Sequence, residues 1–242
     1  HSLIAEMDYA GVDAALLHTD PMLGRDVAYL AECVRLYPDR LRSMASVDEW
    51  CLRSETDSVI EELETAISGF GLHAIKFIPP LAYLEGSDPW DDGPFRPFWK
   101  AASGLGVPVF FTLGTDPREL TEELSRQEQQ QGYLDQLKIL MRWMERYPDV
   151  ICGLTHGFPW RVFVDGNQIT LPEAIWEPFR NPKCHLEVSF PVRLGDLFDF
   201  PYREVWSTLE KRHGRPEHPL LILENFGGDR QEALVDSVSL SG

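Results

Sequence analysis

An α/β chain of the (β/α)8 barrel type, lacking its first strand in this sequence, is the fold class that the residues predict, and three observations predict it. Short, nearly continuous apolar runs alternate with amphipathic runs of helical spacing along the whole chain. Seven strand-like runs occur, each separated from the next by a helix-like run, with one more helix-like run before the first. Alternation of this kind implies parallel strands, because each return needs a crossover. The rival, an open doubly wound sheet, should carry a Gly-rich phosphate turn after its first strand, and none follows here.

The elements follow in order. Residues 2–10 have helical spacing and stop at Gly11, and 12–18 (VDAALLH) read as a strand buried on both faces. A helix over 25–37 is ended by Pro38, a strand covers 41–47, and a crossover helix with an acidic outer face covers 54–69. Residues 72–78 (LHAIKFI) form the next strand, closed by Pro79 and Pro80, which cannot continue a ladder. A helix over 95–104 and a strand over 107–113 (VPVFFTL) come next. The longest helical stretch is broken near Gly132, with 133–147 its firm part and 125–131 (SRQEQQQ) a polar surface stretch. The remainder reads as a strand over 150–156, a short helix over 172–180, a strand over 184–190, a helix over 202–213 and a final strand over 220–225. No linker or composition break interrupts residues 1–242, so a single barrel domain is expected.

The length of 242 residues suits such a barrel, which typically needs about 250. Hydrophobic residues at 43% and charged residues at 25% are ordinary for a globular enzyme. A net charge of −17 argues against nucleic acid, whose phosphates reward clustered Lys and Arg. An anionic substrate would therefore need locally placed cations. No apolar run approaches the roughly 20 residues that span a bilayer, and no secretory leader opens the sequence, so a cytoplasmic protein without membrane contact is expected. The four cysteines, Cys33, Cys51, Cys152 and Cys184, are widely spaced and read as structural thiols rather than a zinc ribbon or disulfide framework.

In a parallel barrel the functional residues lie at the C-terminal ends of strands. Those ends read, in order, His18-Thr19-Asp20, Lys76, Thr112, His156, Glu187 with Ser189, and Asp229. Their convergence is the signal. His156 closes an apolar strand beside Gly157, where an imidazole can move a proton near neutral pH; the plainer reading is a strand-capping His. Asp229, in Phe226-Gly227-Gly228-Asp229-Arg230, can bind a hard cation or orient water, or be a turn aspartate held by Arg230. Lys76, the one charge in its strand, can grip a substrate carboxylate or snorkel from the rim. His18, with Asp20 two residues on, is a similar candidate for substrate binding, or the pair simply orders the loop. Arg161 and Arg193 follow later strands on loops that can clamp a carboxylate bidentately, though surface arginines are common. His73 and His185 fall early in their strands and read as structural; Trp143, Phe158 and Trp160 read as packing.

On LIAEMDYAGVDAALL (3–17), YPDRLRSMASVD (37–48), GLHAIKFIPP (71–80), FRPFWKAASGLGVPVFFTLG (95–114), YPDVICGLTHG (147–157) and FGGD (226–229), the chain resembles the amidohydrolase-related family of aromatic-acid decarboxylases and lactone hydrolases. The resemblance implies a divalent metal, zinc or manganese, held by paired first-strand ligands, a fifth-strand His and an eighth-strand Asp, with a sixth-strand His moving protons. Carried over, the proton-moving His matches His156, and the metal-binding Asp matches Asp229, in FGGD where the family usually has Ser or Thr before the Asp. The fifth-strand position holds Thr112, and the first-strand pair is absent from this sequence. A neutral hydroxyl does not replace imidazole on zinc, so little tightly held metal is expected. Some members of the family work without metal.

These observations lead to a hydrolase acting on a small carboxylated or cyclic substrate, with His156 and Asp229 catalytic and His18, Lys76, Arg161 and Arg193 binding substrate. The alternatives are a carbon–carbon lyase of the aromatic-acid decarboxylase type and a non-catalytic barrel serving as a scaffold. A small anionic molecule is the expected partner, and a homodimer is possible on the family's habit.

Overall fold

The computed structural model describes residues 1–19, 24–84, 86–155, 159–165 and 168–186, with only the backbone described at 160, 161, 164, 168 and 169. Two compact units divide the chain, one of residues 1–112 with 139–152 and one of residues 113–138 with 153–242.

In the first unit, α1 (Ser2–Ala10) stops at Gly11, whose φ of 70° lies in the left-handed region that glycine tolerates. It leads into β1 (Ala15–Leu17). The helix α2 (Val27–Leu36) begins at Asp26, whose carboxylate accepts the Tyr29 N–H at 2.9 Å and satisfies one orphan donor of the first turn. Next come β2 (Leu41–Ser46), α3 (Thr56–Glu64), β3 (Ala74–Phe77), α4 (Arg96–Gly104) and β4 (Val109–Phe111). Strands β1 to β4 pair in sequence order and parallel, as the alternation predicts, with Ala45 opposite Ile75 and Ile75 opposite Val109. The Val109 N–H donates to the Ile151 carbonyl at 2.9 Å, which sets β5 (Cys152–Leu154) beside β4.

The core of this unit is aromatic. Phe77 on β3 lies 4.6 Å from Trp99 and 5.8 Å from Phe98, both on α4, and Phe111 lies 4.9 Å from Trp143. Trp90, Trp99 and Trp143 are buried, and the Trp99 indole N–H donates to the Trp90 carbonyl at 2.5 Å. Asp91, fully buried, accepts two bonds from the Arg142 guanidinium (2.9 and 3.2 Å) and pairs with Arg146 at 3.6 Å. A buried carboxylate is tolerated only with such partners.

The helix α5 (Arg126–Arg146) runs unbroken through Gly132, where the sequence suggests a break. A Cβ at Gly132 would clash with the Cβ of Asp116, so the glycine permits close packing instead of ending the helix. The stretch read as polar surface is the first turns of α5, preceded by a reciprocal cap. The Ser125 N–H and hydroxyl donate to Glu128 at 3.0 and 2.6 Å, and the Glu128 N–H donates back to the Ser125 hydroxyl at 3.4 Å.

In the second unit β5 neighbours the strand Cys184–Leu186 in the sheet order. Between them come a short antiparallel pair, β6 (Val164–Asp165) with β7 (Gln168–Ile169), and then β8 (Cys184–Leu186) itself. The helix expected over 172–180 is two 3-10 turns, Glu173–Trp176 and Pro178–Arg180. Pro178 has no N–H to continue an α-helical ladder, and the chain re-forms a turn after it. Among the described residues no α-helix lies between β5 and β8, so strict alternation stops there. The crossover helix expected over 54–69 also changes character, ending in a π-helical turn, Thr65–Gly69, before Gly71 at φ 72°. The helix and strand expected over 202–213 and 220–225 lie outside the described residues.

Cys152 and Cys184 are buried, Cys33 and Cys51 half-buried, and all four are free thiols. Among the described residues no helix is long and apolar enough to cross a membrane.

Candidate active site

The pleat of the first unit decides which strand-end residues share a face. Phe77 and Phe111 are register partners, and both turn toward α4 and Trp143. Lys76 and its partner Phe110 therefore leave the opposite face, and Ser46, opposite Lys76 on β2, leaves it too. Thr112 lies two residues beyond Phe110 and continues the ladder, its N–H donating to the Phe77 carbonyl at 3.0 Å. Leu16 pairs with Arg42, which alternates with Met44 and Ser46, so His18, two residues on, belongs to this same face. Four consecutive strand ends thus present His18, Ser46, Lys76 and Thr112 on the face turned away from the aromatic core.

Burial differs among them. Lys76 is only 3% exposed, Ser46 and Thr112 are half-buried, and His18 is exposed. The Ser46 hydroxyl donates to the Thr19 carbonyl at 2.6 Å and ties the exit of β1 to the end of β2. His73 is half-buried just before β3, and burial with the nearby Arg42 charge holds its imidazole below the ordinary range. Arg161 falls in the turn Trp160–Phe163, with only its backbone described. His156, Arg193 and Asp229 lie outside the described residues, as do Asp20, Gly157, Glu187 and Ser189.

Two acidic residues just after β2 escaped the reading of the sequence. Asp48 pairs with Arg25, and burial raises its carboxyl against the pull of that guanidinium. Glu49 begins the turn Glu49–Cys51 and is 1% exposed. Its Oε1 accepts the Ile78 N–H at 2.6 Å, and burial pushes its carboxyl up to about 8. The apolar residues Val47 and Leu52 around it are the sequence signal that could have found it. At the end of β2 a cavity of about 510 Å³ is lined by Arg25, Ser46, Asp48, Glu62, Thr65 and Phe70.

Asp229, the one carried-over metal ligand, lies outside the described residues. Among the described residues no three His, Cys, Asp or Glu side chains cluster as a metal would need, and Thr112 offers a hydroxyl at the end of β4. The described strand ends instead supply one buried ammonium, hydroxyls and an exposed imidazole, groups that bind and orient an anion.

Residues 5–230 match the family model described as amidohydrolase. No curated protein matches the sequence. Among solved structures, the chain is similar to an uncharacterised TIM-barrel protein from Bordetella bronchiseptica, with 18% identity and a TM-score of 0.56 over 84% of this chain. It spans 62% of that protein's length. A Pseudomonas putida protein assigned as a 2-pyrone-4,6-dicarboxylic acid hydrolase is similar at 14% identity and TM-score 0.57, covering 97% of this chain and 74% of that one. A dihydroxybenzoic acid decarboxylase from a Polaromonas species, holding manganese and the inhibitor 2-nitroresorcinol, is similar at 15% identity and TM-score 0.50, covering 81% of this chain and 69% of that one. At these identities the likeness shows the fold alone, a (β/α)8 barrel in part. The match from residue 5 to residue 230 takes in nearly every element described above, and the chain belongs to the amidohydrolase family.

Proposed function

We propose that this chain is a hydrolase of the amidohydrolase superfamily acting on a small carboxylated or cyclic substrate. The observation that carries the reading is Lys76, a buried ammonium on the same sheet face as His18, Ser46 and Thr112 in a chain of net charge −17. A local cation is what an anionic substrate needs against that acidic field. In this reading Lys76 grips the substrate carboxylate, His18 contacts it at the rim, and Arg161 or Arg193 closes a bidentate clamp. His156 is the general acid/base and Asp229 orients the attacking water. Asp229 is also the one carried-over metal ligand, and no step here runs through a metal.

A carbon–carbon lyase is the second reading, favoured by the likeness to a decarboxylase. There the same Lys76 grip would hold a carboxylated aromatic ring while His156 protonates the carbon that loses CO₂. A barrel kept as a scaffold is the third, and Thr112 at the fifth-strand position favours it. We place the protein as a single barrel domain in the cytoplasm, able to pair as a homodimer, with a small anionic partner.

Replacing Lys76 with Met keeps length and removes charge. The variant should bind 2,6-dihydroxybenzoate or 2-pyrone-4,6-dicarboxylate about 10- to 100-fold more weakly by calorimetry, the worth of a charge-assisted bond. Unchanged affinity would remove Lys76 from the site. Release of CO₂ from the first compound or ring opening of the second decides between lyase and hydrolase.

Metal content is a separate test. Purified protein should hold well under one tightly bound zinc or manganese per chain after dialysis, because Thr112 is no imidazole. Elemental analysis near one metal per chain would mean a ligand set different from the one carried over.

A further inference from the structure

Ile78 leaves β3 two residues after Lys76 and is followed by Pro79 and Pro80, which have no N–H to extend a ladder. Its own N–H is met by the Oε1 of Glu49, at 2.6 Å. The turn Glu49–Cys51 packs directly on the turn Pro79–Tyr83 that Ile78 opens. The second oxygen of Glu49, Oε2, is buried with no hydrogen-bond partner. A carboxyl almost wholly out of water, one oxygen on a backbone amide and one idle, is costly to keep. Its one clear action is to fix where β3 ends.

We propose that Glu49 is a positioning residue for Lys76, its carboxyl holding the exit of β3 through the Ile78 amide. The inference rests on Lys76 being the anion grip. Burial keeps the acid protonated through neutral pH, with Asp48 pushing the same way and Arg25 and the backbone amides of Ile78 and Glu49 itself pulling against it. Tyr83 is the titratable residue on the turn packed against it. Ionisation strengthens the Ile78 N–H bond, but desolvation outweighs it, so the balance shifts toward opened turns as pH rises toward 8. The end of β3 is then released, and Lys76 with it.

The experiment uses the full chain, with Glu49→Gln as the uncharged isostere and Glu49→Ala as the deletion. Affinity for 2,6-dihydroxybenzoate is measured from pH 6 to 10, and the Ile78 amide is followed by NMR and hydrogen exchange. In the wild type the Ile78 resonance should titrate with a midpoint near 8. Affinity should fall about tenfold as pH rises toward that midpoint and level off beyond it, ahead of ordinary Tyr and Lys titration near 10. Glu49→Gln should keep the neutral-pH affinity and lose this alkaline limb. Glu49→Ala should weaken binding at every pH and speed Ile78 exchange about tenfold or more.

Unchanged Ile78 exchange in Glu49→Ala, or an alkaline limb near pH 8 that survives in Glu49→Gln, overturns the proposal. Faster Ile78 exchange with unchanged affinity overturns the positioning of Lys76. An affinity that ignores Lys76→Met overturns the anion grip itself, and the hold of Glu49 on β3 is then decided by the Ile78 amide alone. These outcomes separate a failure here from a failure of the proposed function.

Discussion

His156→Asn should lower turnover by on the order of 10²–10⁴ and leave the melting temperature nearly unchanged. Asn keeps part of the size and hydrogen bonding of His and removes proton transfer near neutral pH. The residue ends an otherwise apolar run, VICGLTH, beside Gly157, and it matches the proton-moving position of the family. Steady-state kinetics and a thermal melt of the same preparation make the comparison. A lowered melting temperature with activity kept would make His156 a strand cap. A wild type that turns over no carboxylated aromatic or lactone, and binds none, would favour the scaffold.

Trp99→Ala should be among the most destabilising single changes in the first unit, costing about 3–5 kcal/mol. The Trp99 ring lies 4.6 Å from Phe77, 4.9 Å from Phe98 and 5.3 Å from Trp143, and all four are buried. Its loss leaves a large cavity and strips the Trp90 carbonyl of its indole donor. For a chain of this size that means a melting temperature lower by roughly 6–20 °C. Trp99→Phe keeps a ring and loses the donor, and should cost about 1–3 kcal/mol. Equal melting of wild type and Trp99→Ala would show that the cluster does not limit stability. Phe77 is the neighbour of Lys76 on β3, so the alanine variant should also weaken anion binding.

The first unit was legible in its residues because one period dominates each element. Runs such as LHAIKFI and VPVFFTL are too apolar to be anything but buried, and the Pro79-Pro80 pair and the glycines around them mark the ends. Lys76 stood out there as the single charge. The errors came where two principles compete. Gly132 carries the helix penalty of about 1 kcal/mol that suggested a break, but close contact with Asp116 favours it inside α5. Ser125 and Glu128, three residues apart, are a helix-start signature hidden in a glutamine-rich stretch. Pro178 turned an expected helix into two 3-10 turns, and the β6–β7 pair is too short for any period to show.

Half of the candidate site was legible for the same reason. His18, Lys76 and Thr112 end their strands, and a two-residue alternation carries them to one face with no knowledge of tertiary contacts. Glu49 was not found, because a carboxylate after a strand is ordinarily a solvated turn residue. Val47 and Leu52 beside it hint at burial, and its contact with Ile78, 29 positions away, shows its role.

The clustering of indoles gives the protein a built-in optical probe. Trp90 and Trp99 lie 5.9 Å apart and Trp99 and Trp143 5.3 Å apart, all buried in the first unit. Excitation energy passes readily between rings at such spacing, so these three emit as a coupled set in an apolar, blue-shifted environment. Wavelength shifts during denaturation are then weighted toward the opening of the first unit. Trp176, buried among the 3-10 turns of the second, adds a separate signal. Replacing Trp50, Trp160, Trp176 and Trp206 by Phe would leave only the three indoles of the aromatic layer beneath Lys76, a way to watch that strand end respond to an anion without attaching a label.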